Sequence, residues 1–395
     1  MAIERFELPY SERAVDDLRE RLARTRWPDE ISGSGWERGV DLAYLREICS
    51  YWREKFDWKA RIEKLSAWEH FRYLAGDARV HFLHARGKGT KRIPLILTHG
   101  WPGSFLEMLK IIPLLMEAGF DVVAPSLPGF GFSDRPARGG MNTFRIAELW
   151  AGLIGELMGE FGYPRFVAQG GDFGASVSTI LGLRHSDRVA GIHLNYIPGS
   201  YRPAAGAPLT PVEQAFLADL DAWYGEHGAY AHLQRNTPQT PAYALNDSPA
   251  GLAAWIIEKF RSWSDCGGDV ERRFSKDELL ANVTLYWMTE TISSSFRLYN
   301  ETKKAPLQFA PGDFVRVPCA IARFPLEAPF PPREWVARGY NIERWTQMPR
   351  GGHFAAAEEP ELLAGDIAEF VSGLGGGTED RGLPSTDCGP ASRKV

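Results

Sequence analysis

The segment Arg165–Gly174, RFVAQGGDFG, is a short apolar run that leads through a glycine-rich turn into a second run of small and apolar residues. The spacing predicts a strand, a sharp turn and a helix. Gly170 and Gly174 stand two positions either side of Asp172, which suits a turn that strains its central residue and brings neighbouring backbones close. The pattern predicts a nucleophile elbow with Asp172 as the nucleophile. A glycine-rich turn with a helix-capping aspartate is the structural alternative.

On both sides of this segment, apolar runs typical of buried strands alternate with helical stretches. The runs are IPLILTHG (93–100), DVVAPSLPG (121–129) and AGIHLNYI (190–197), and helices are predicted over 105–118, 143–161 and 175–184. This alternation predicts an α/β fold with a mostly parallel central sheet and helices on both faces. Ahead of it, HFRYLAG (70–76) and RVHFLHARG (79–87) flank a Gly-Asp turn and predict a hairpin.

Four regions follow from the pattern along the chain. Residues 1–65 form a polar helical arm, with one helix capped by Ser11 and another over about 41–56. The α/β core covers 66–198 and 306–373, and VPCAIARF (317–324) and NIERWTQMP (341–349) resume the strand pattern. Residues 199–305 break the alternation and predict a helical lid. The Gly- and Pro-rich tail, 374–395, is expected to be disordered.

Composition limits the function classes. The 395 residues carry a net charge of −5 and are 44% hydrophobic, with 13 Trp, 13 Tyr and 22 Phe, which excludes a disordered chain. The acidic balance argues against nucleic-acid binding. No run is long enough for a transmembrane helix, and acidic residues stand where a signal peptide needs an apolar run. We therefore expect a cytoplasmic protein without a membrane anchor, its arm packed on its own lid or on a second copy in a homodimer.

Cysteine and histidine usage points to neither a metal site nor a disulfide framework. The four cysteines contain no CxxC pair, which is typical of a reducing compartment; they are Cys49, Cys266, Cys319 and Cys388. There is no HExxH-like cluster, no P-loop and no GxGxxG fingerprint. We expect chemistry that needs no cofactor.

The loop after the strand IPLIL carries His99-Gly-Trp-Pro-Gly-Ser104. In sheets with a nucleophile elbow, this loop and the residue after the nucleophile can supply backbone N–H groups to an oxyanion hole. We assign these donors to Trp101 and Phe173. Pro102 has no N–H and restricts the loop.

A base and an acid complete the arrangement. His353 lies in Arg350-Gly-Gly-His-Phe354, after the last predicted strand, at the sheet end where α/β folds bind ligands. Glu327, in Phe324-Pro-Leu-Glu327, follows the preceding strand and is the preferred acid. Asp313 and Glu334 fit that role less well because of their predicted positions.

Taken together, these motifs resemble α/β-hydrolase-fold epoxide hydrolases of the microsomal-type branch, over about residues 3–371. The shared segments are HGWPGS (99–104), PGFGFS (128–133), GGDFG (170–174), ALNDSPAGLAAWIIEKF (244–260), FPLE (324–327) and GGHFAAAEEPELL (351–363). The resemblance implies Asp172 as nucleophile, His353 as base and Glu327 as the acid that orients it. Without an N-terminal anchor, the chain is similar to the soluble members.

The resemblance also implies two lid tyrosines that hold the epoxide oxygen, which fall on Tyr230 and Tyr299; Tyr196, Tyr201, Tyr224, Tyr243 and Tyr286 compete for these roles. Their phenols stay protonated at neutral pH and can donate to the leaving oxygen. The expected reaction converts an epoxide and water to a vicinal diol through an Asp172 ester. Family substrates include xenobiotics, hormone-like lipids and natural-product intermediates.

Three other functions fit the residues less well. A haloalkane dehalogenase typically has Trp after the nucleophile to bind halide, whereas Phe173 has no indole N–H. An esterase or lipase needs Ser at the elbow. A non-catalytic binding protein would be expected to lack Asp172 or His353. We expect a small apolar or aromatic epoxide to occupy a pocket formed by Trp101, Phe132, Trp150 and Phe173 together with aromatic residues of the lid.

Overall fold

The computed structural model describes residues 2–76, 78–89, 92–203 and 207–375, except for the side chains of residues 160 and 161. Gly375 ends the last helix, so the prediction of a disordered tail falls mainly on residues 376–395, which lie outside the described residues.

In the described part of the chain one sheet of nine strands forms the centre of the fold, in the order β1-β2-β3-β5-β4-β6-β7-β8-β9. The strands are β1 Ile3–Arg5, β2 Glu69–Ala75, β3 Ala78–Ala85, β4 Ile93–Thr98, β5 Phe120–Pro125, β6 Phe166–Gly170, β7 Val189–Leu194, β8 Val315–Arg323 and β9 Tyr340–Gln347. The six neighbouring strands β5, β4, β6, β7, β8 and β9 pair in parallel. The pairs β1–β2, β2–β3 and β3–β5 are antiparallel. The α/β fold with a mostly parallel sheet is confirmed.

Helices cover the sheet and form the arm and lid. They are α1 Glu12–Ala23, α2 Leu42–Glu54, α3 Trp58–Leu65, α4 Ile111–Glu117, α5 Thr143–Phe161, α6 Asp172–Arg184, α7 Pro211–His227, α8 Ala229–Asn236, α9 Gln239–Leu245, α10 Pro249–Trp263, α11 Lys276–Thr289, α12 Ile292–Lys304, α13 Arg333–Val336, α14 Ala355–Glu358 and α15 Pro360–Gly375. Short 3₁₀ turns cover Phe105–Leu109 and Val270–Arg272. Every residue of β4, β5 and β7 is buried, as expected for strands covered on both faces.

Two predicted elements differ in detail. The helix predicted over 105–118 is a 3₁₀ turn followed by α4, because Pro113 has no N–H for the carbonyl of Leu109 and cannot lie inside a continuous helix. The N-terminal arm is not wholly helical. Its strand β1 pairs with β2 at the edge of the sheet, with Ile3 opposite Tyr73.

The arm contacts the lid of its own chain. Arg21 Nη1 lies 2.7 Å from Asp247 Oδ1, and the Tyr51 hydroxyl donates to Asp277 Oδ1 at 3.0 Å. Ser11 caps α1 as predicted, accepting from Ala14 N. These contacts favour packing on the lid, and the homodimer stays a prediction.

The lid lies in sequence between β7 and β8 and includes α7 to α12. Because β7 runs parallel to its neighbours, it ends, and the lid begins, at the carboxyl edge of the sheet, where the loops carrying the predicted site also lie. None of the helices in the described residues combines the length and hydrophobicity needed to cross a membrane. Cys49, Cys266 and Cys319 are buried free thiols.

Candidate active site

Asp172 lies at a strained turn between β6 and α6. Its φ of 46° is unusual for a residue with a side chain. A Cβ at Gly170 would lie 2.2 Å from the carbonyl carbon of Gly174, and one at Gly174 would lie 1.9 Å from the carbonyl oxygen of Thr98. Only glycine fits these two positions, so the turn forms the predicted elbow. Strain of this kind is characteristic of functional positions.

The Asp172 carboxylate meets the backbone of the HGWPGS loop. The Trp101 N–H donates to Asp172 Oδ1 at 3.0 Å, and the Phe173 N–H is close enough to lower the pKa of this carboxylate. Burial raises the pKa of Asp172 above its ordinary value, and nearby His353 and the two N–H groups oppose that rise. Both amides expected to form the oxyanion hole thus act on this carboxylate, and the Trp101 N–H binds its Oδ1.

A lid helix holds this loop in place. On α11, Asn282 Nδ2 donates to the Pro102 carbonyl and Asn282 Oδ1 accepts from Ser104, both at 2.8 Å. The Tyr286 hydroxyl donates to the Gly103 carbonyl at 2.8 Å. These bonds satisfy the buried Asn282 side chain of the lid. They also fix the backbone that presents the Trp101 N–H.

His353 stands between two carboxylates. Its Nδ1 lies 2.7 Å from Glu327 Oε2, and its Nε2 lies 3.9 Å from Asp172 Oδ2. Burial lowers the pKa of His353, but attraction to Glu327, to which it is hydrogen-bonded, and to Asp172 outweighs this and raises the pKa to about 9. The hydrogen bond to Glu327 leaves Nε2 facing Asp172. By contrast, Asp313 accepts from Ala310 N and does not contact the histidine.

Glu358 fixes the histidine loop, and sequence reasoning did not single it out. Its carboxylate accepts from the N–H groups of Asp265, Gly352 and Phe354 at 2.7 to 3.1 Å. Burial raises its pKa to about 7, against the effect of these donors. The only sequence signal was an acid two residues before the last helix, which is common in unrelated helices.

Tyr230 and Tyr299 come from separate lid helices, α8 and α12, and meet above the elbow. Their ring centroids lie 6.0 Å apart, with the ring planes at 85° to each other. Tyr299 packs edge-on against Phe173 with 4.7 Å between centroids. Burial raises the pKa of both phenols, so both are neutral donors at neutral pH.

The other tyrosines differ in position. Tyr196 and Tyr224 line the same cavity as Tyr230 and Tyr299. Tyr286 donates to the loop backbone, Tyr201 packs against Trp335, and Tyr243 is 71% exposed.

A cavity of about 710 Å³ joins these groups. Asp172, His353, Glu327 and both tyrosines border it, and the aromatic side chains Phe173, Tyr196, Trp223, Tyr224 and Trp263 form much of its wall. Of the four residues predicted to form the pocket, Phe173 lines this cavity. The Trp101 ring does not: it is buried beneath the tyrosines, stacked on Tyr230 with 5.2 Å between centroids.

Phe132 and Trp150 are placed elsewhere, so their assignment to the pocket is corrected. Phe132 packs against Phe6 of the arm with 5.9 Å between centroids. Trp150 lies on α5, fully buried, and its indole N–H donates to Thr98 Oγ1 at 3.0 Å. Both belong to the core, because Phe132, in the loop after β5, packs against the arm and the Trp150 side chain is directed towards β4.

A second, much smaller cavity of about 20 Å³ lies on another side of the Asp172 carboxylate. His353 and Glu107 also line it. Its size fits about one water molecule. Burial raises the pKa of Glu107 to about 8, and a Cβ at Gly103 would lie 2.2 Å from its carboxylate. Sequence reasoning missed Glu107, although an acid within the apolar run FLEML was a signal.

Among the described residues, no cluster of three or more His, Cys, Asp or Glu side chains is arranged to hold a metal ion. The sheet order, the elbow and the histidine–acid pair define an enzyme of the α/β-hydrolase fold whose elbow carries aspartate.

Comparison with known proteins agrees with this class. The family model described as "Epoxide hydrolase N terminus" matches residues 3–108, and the model "alpha/beta hydrolase fold" matches residues 93–234. A Stigmatella aurantiaca protein that carries a provisional epoxide hydrolase name is 42% identical over 374 residues, which is 92% of this chain and 83% of that protein. Epoxide hydrolase 1 of Oryctolagus cuniculus is 36% identical over 411 residues, 94% of this chain and 89% of that protein.

Solved structures give the same result. The juvenile hormone epoxide hydrolase of Bombyx mori is 30% identical, with a TM-score of 0.81 and 94% of each chain covered. The Aspergillus niger epoxide hydrolase is 27% identical, with a TM-score of 0.82 over 95% of this chain and 97% of that chain. The chain belongs to the epoxide hydrolase family.

Proposed function

We propose that the protein opens an epoxide with Asp172 and releases a vicinal diol by hydrolysing the resulting ester. The observation that carries this proposal is the division of the Asp172 carboxylate. Oδ1 accepts the Trp101 N–H, while Oδ2 lies on the side of His353. In this account Oδ1 becomes the ester carbonyl oxygen, and Oδ2 is the nucleophile.

In the first step, Asp172 Oδ2 attacks an epoxide carbon and the bond from that carbon to the ring oxygen breaks. The ring oxygen takes a proton from the tyrosine pair, leaving a hydroxyalkyl ester and a tyrosinate. Tyr230 and Tyr299 suit this role because they reach the cavity together, one from each of two helices. The aromatic wall suits an apolar or aromatic epoxide.

In the second step, His353 Nε2 takes a proton from water and the oxygen of that water attacks Asp172 Cγ. Negative charge on Oδ1 is stabilised by the Trp101 and Phe173 N–H groups, at about 2.7–4 kcal/mol per donor in comparable sites. The ester bond then breaks, and the imidazolium protonates the departing diol oxygen. The Asp172 carboxyl proton returns to the tyrosinate, so the net reaction consumes one epoxide and one water.

The electrostatics of His353 suit this order of events. In the free site, burial lowers the pKa of His353, but attraction to Glu327 and Asp172 outweighs burial and raises this pKa to about 9. Forming the ester removes the charge of Asp172, so the pKa of His353 falls and the imidazole becomes available as a base. Glu327 then stabilises the imidazolium that forms.

The small cavity is the proposed position of the attacking water. Asp172, His353 and Glu107 all line it. Water held there can hydrogen-bond to His353 and to Glu107. Glu107 is therefore proposed as a positioning residue for the second step.

A single-turnover reaction in heavy-oxygen water tests the proposal. With enzyme in excess over styrene oxide, the label is expected in the Asp172 carboxylate and not in the diol, because water attacks Cγ. Label in the diol during the first turnover would show direct attack of water on the epoxide and would overturn the covalent scheme. Peptide mass spectrometry reads the first position, and mass analysis of the diol reads the second.

A further inference from the structure

The large cavity carries positive charge that the proposed reaction does not use. Arg202, Arg235 and Lys303 line it together with Asp172 and Glu327, which are the only carboxylates in the described lining. Both of those carboxylates belong to the proposed catalytic site. The rest of the described wall therefore has three cations and no anion.

Two of these cations lie on the helices that carry the proposed proton donors. Arg235 follows Tyr230 by five residues on α8, and Lys303 follows Tyr299 by four residues on α12. At 1.5 Å per residue, these spacings place the cations about 6–8 Å along each helix from the tyrosines. The epoxide oxygen and a second group on the same substrate can thus be held at separate points.

Direct contacts keep the two helix ends together. Asn300 of α12 donates to the Arg235 carbonyl at 2.7 Å, and Lys303 Nζ donates to Asn236 Oδ1 at 2.5 Å. The guanidinium of Arg235 lies 5.8 Å from the ring centroid of Tyr224, another residue of the cavity wall. Arg235 and Lys303 therefore belong to one wall.

No described carboxylate forms an ion pair with Arg202, Arg235 or Lys303, whereas the adjacent Lys304 pairs with Glu301 at 2.7 Å. Basic residues commonly end helices because they interact favourably with the helix dipole. That effect accounts for their position, but it does not account for a partly buried arginine at a cavity with no carboxylate partner, since buried charges are usually paired.

We propose that the substrate is an epoxide that also carries a carboxylate, bound by Arg235 and Lys303, with Arg202 contributing from the chain that follows β7. The inference rests on the proposed function. Asp172 would repel a substrate carboxylate in this cavity, and the three cations of the wall offset that repulsion. Arginine binds carboxylates through paired N–H donors, which favours this anion.

The test compares matched substrates that differ only in charge. Terminal epoxides of heptenoic and undecenoic acids are assayed beside their primary amides, which have nearly the same shape. For at least one chain length, kcat/KM for the acid is expected to exceed that for the amide by about tenfold or more, the size of one charge-assisted hydrogen bond. High salt is expected to reduce this ratio.

Variants assign the ratio to residues. Arg235→Gln and Lys303→Gln are each expected to lower the acid-to-amide ratio, mainly through KM for the acid, and the double variant is expected to bring it close to one. Lys304→Gln is the matched control, since Lys304 is one residue away, exposed and paired with Glu301. It is expected to leave the ratio as in the wild type.

Each outcome separates this inference from the proposed function. Hydrolysis of the amides with no preference for the acids at either length overturns the carboxylate inference and leaves the epoxide hydrolase proposal standing. An equal loss for acids and amides in Arg235→Gln and Lys303→Gln also overturns it, because the residues would then act on structure. Failure to hydrolyse the acids, the amides and styrene oxide alike would overturn the proposed function itself.

Discussion

His353 Nε2 lies 3.9 Å from Asp172 Oδ2, beyond hydrogen-bonding distance, while Nδ1 of the same ring lies 2.7 Å from Glu327. The imidazole is therefore held from one side and open on the other. A histidine bonded directly to the nucleophile would activate it, as in serine hydrolases. In the proposed reaction the carboxylate needs no such activation, so the open nitrogen is suited to act on water in the second step.

Glu327→Gln is expected to slow ester hydrolysis by about 10²–10⁴-fold, with less effect on ester formation. Glu327 raises the pKa of His353, so its neutralisation lowers that pKa. The rate of ester hydrolysis increases as the imidazole loses its proton, and its pH midpoint is therefore expected to move to lower pH. Stopped-flow measurement of both steps against pH checks this. A slower rate with an unchanged midpoint would contradict the electrostatic role.

Tyr230→Phe and Tyr299→Phe are each expected to slow ester formation by about 10²-fold, because each removes one donor to the leaving oxygen. The double variant should be slower still. Tyr243→Phe is a matched control, since Tyr243 is 71% exposed on another lid helix. Burst kinetics with styrene oxide measures the step. Near-normal ester formation in the double variant would shift the assignment to Tyr196 or Tyr224, which line the same cavity.

Glu107→Gln is expected to slow ester hydrolysis by about tenfold to a hundredfold, because a misplaced water attacks poorly. Ester formation should change less, so the ester should accumulate at steady state. Glu117→Gln is the control, with an exposed carboxylate paired to Lys88. Quenched mass spectrometry of the steady-state mixture measures the ester. Equal slowing of both steps would indicate a structural role for Glu107 and not a role in positioning water.

Asp366 predicts a pH effect on stability away from the site. Burial would raise its pKa, but hydrogen bonds from His193, Thr346 and Arg344 outweigh burial and lower it to about 2. The folded pKa is thus below the unfolded value of about 3.9, so this group contributes about 2–3 kcal/mol of stability that is fully present above about pH 5 and lost as pH falls through the folded pKa of about 2.

Urea unfolding of the wild type and Asp366→Asn, compared between pH 7 and pH 3, measures this contribution. The variant is expected to be less stable at pH 7, and the difference between the two proteins should narrow at the lower pH. A difference that does not change with pH would contradict the assignment.

The sequence predicted the parallel sheet, the elbow and the positions of Asp172 and His353 because each depends on local pattern. A strand end, a glycine-rich turn and a helix start can be recognised together within ten residues of sequence. The strand β1 was missed because three residues at a sheet edge carry too little pattern.

Side-chain direction was harder to predict. Phe132 and Trp150 were predicted to form the pocket with Trp101 and Phe173, yet both face the core. Glu107 and Arg235 line cavities that form only when the lid, the loop and the elbow come together. Such residues have no local signature, since their role depends on contacts between segments distant in the chain.

The most direct test of the central claim is intact-protein mass spectrometry of His353→Gln after incubation with styrene oxide, followed by peptide mapping. Without the base, ester formation is expected and its hydrolysis is not, so the protein should gain the mass of one substrate, mapped to Asp172. The double variant with Asp172→Asn should gain none. A folded His353→Gln protein that forms no adduct with an epoxide that the wild type hydrolyses, or an adduct on another residue, would contradict the account.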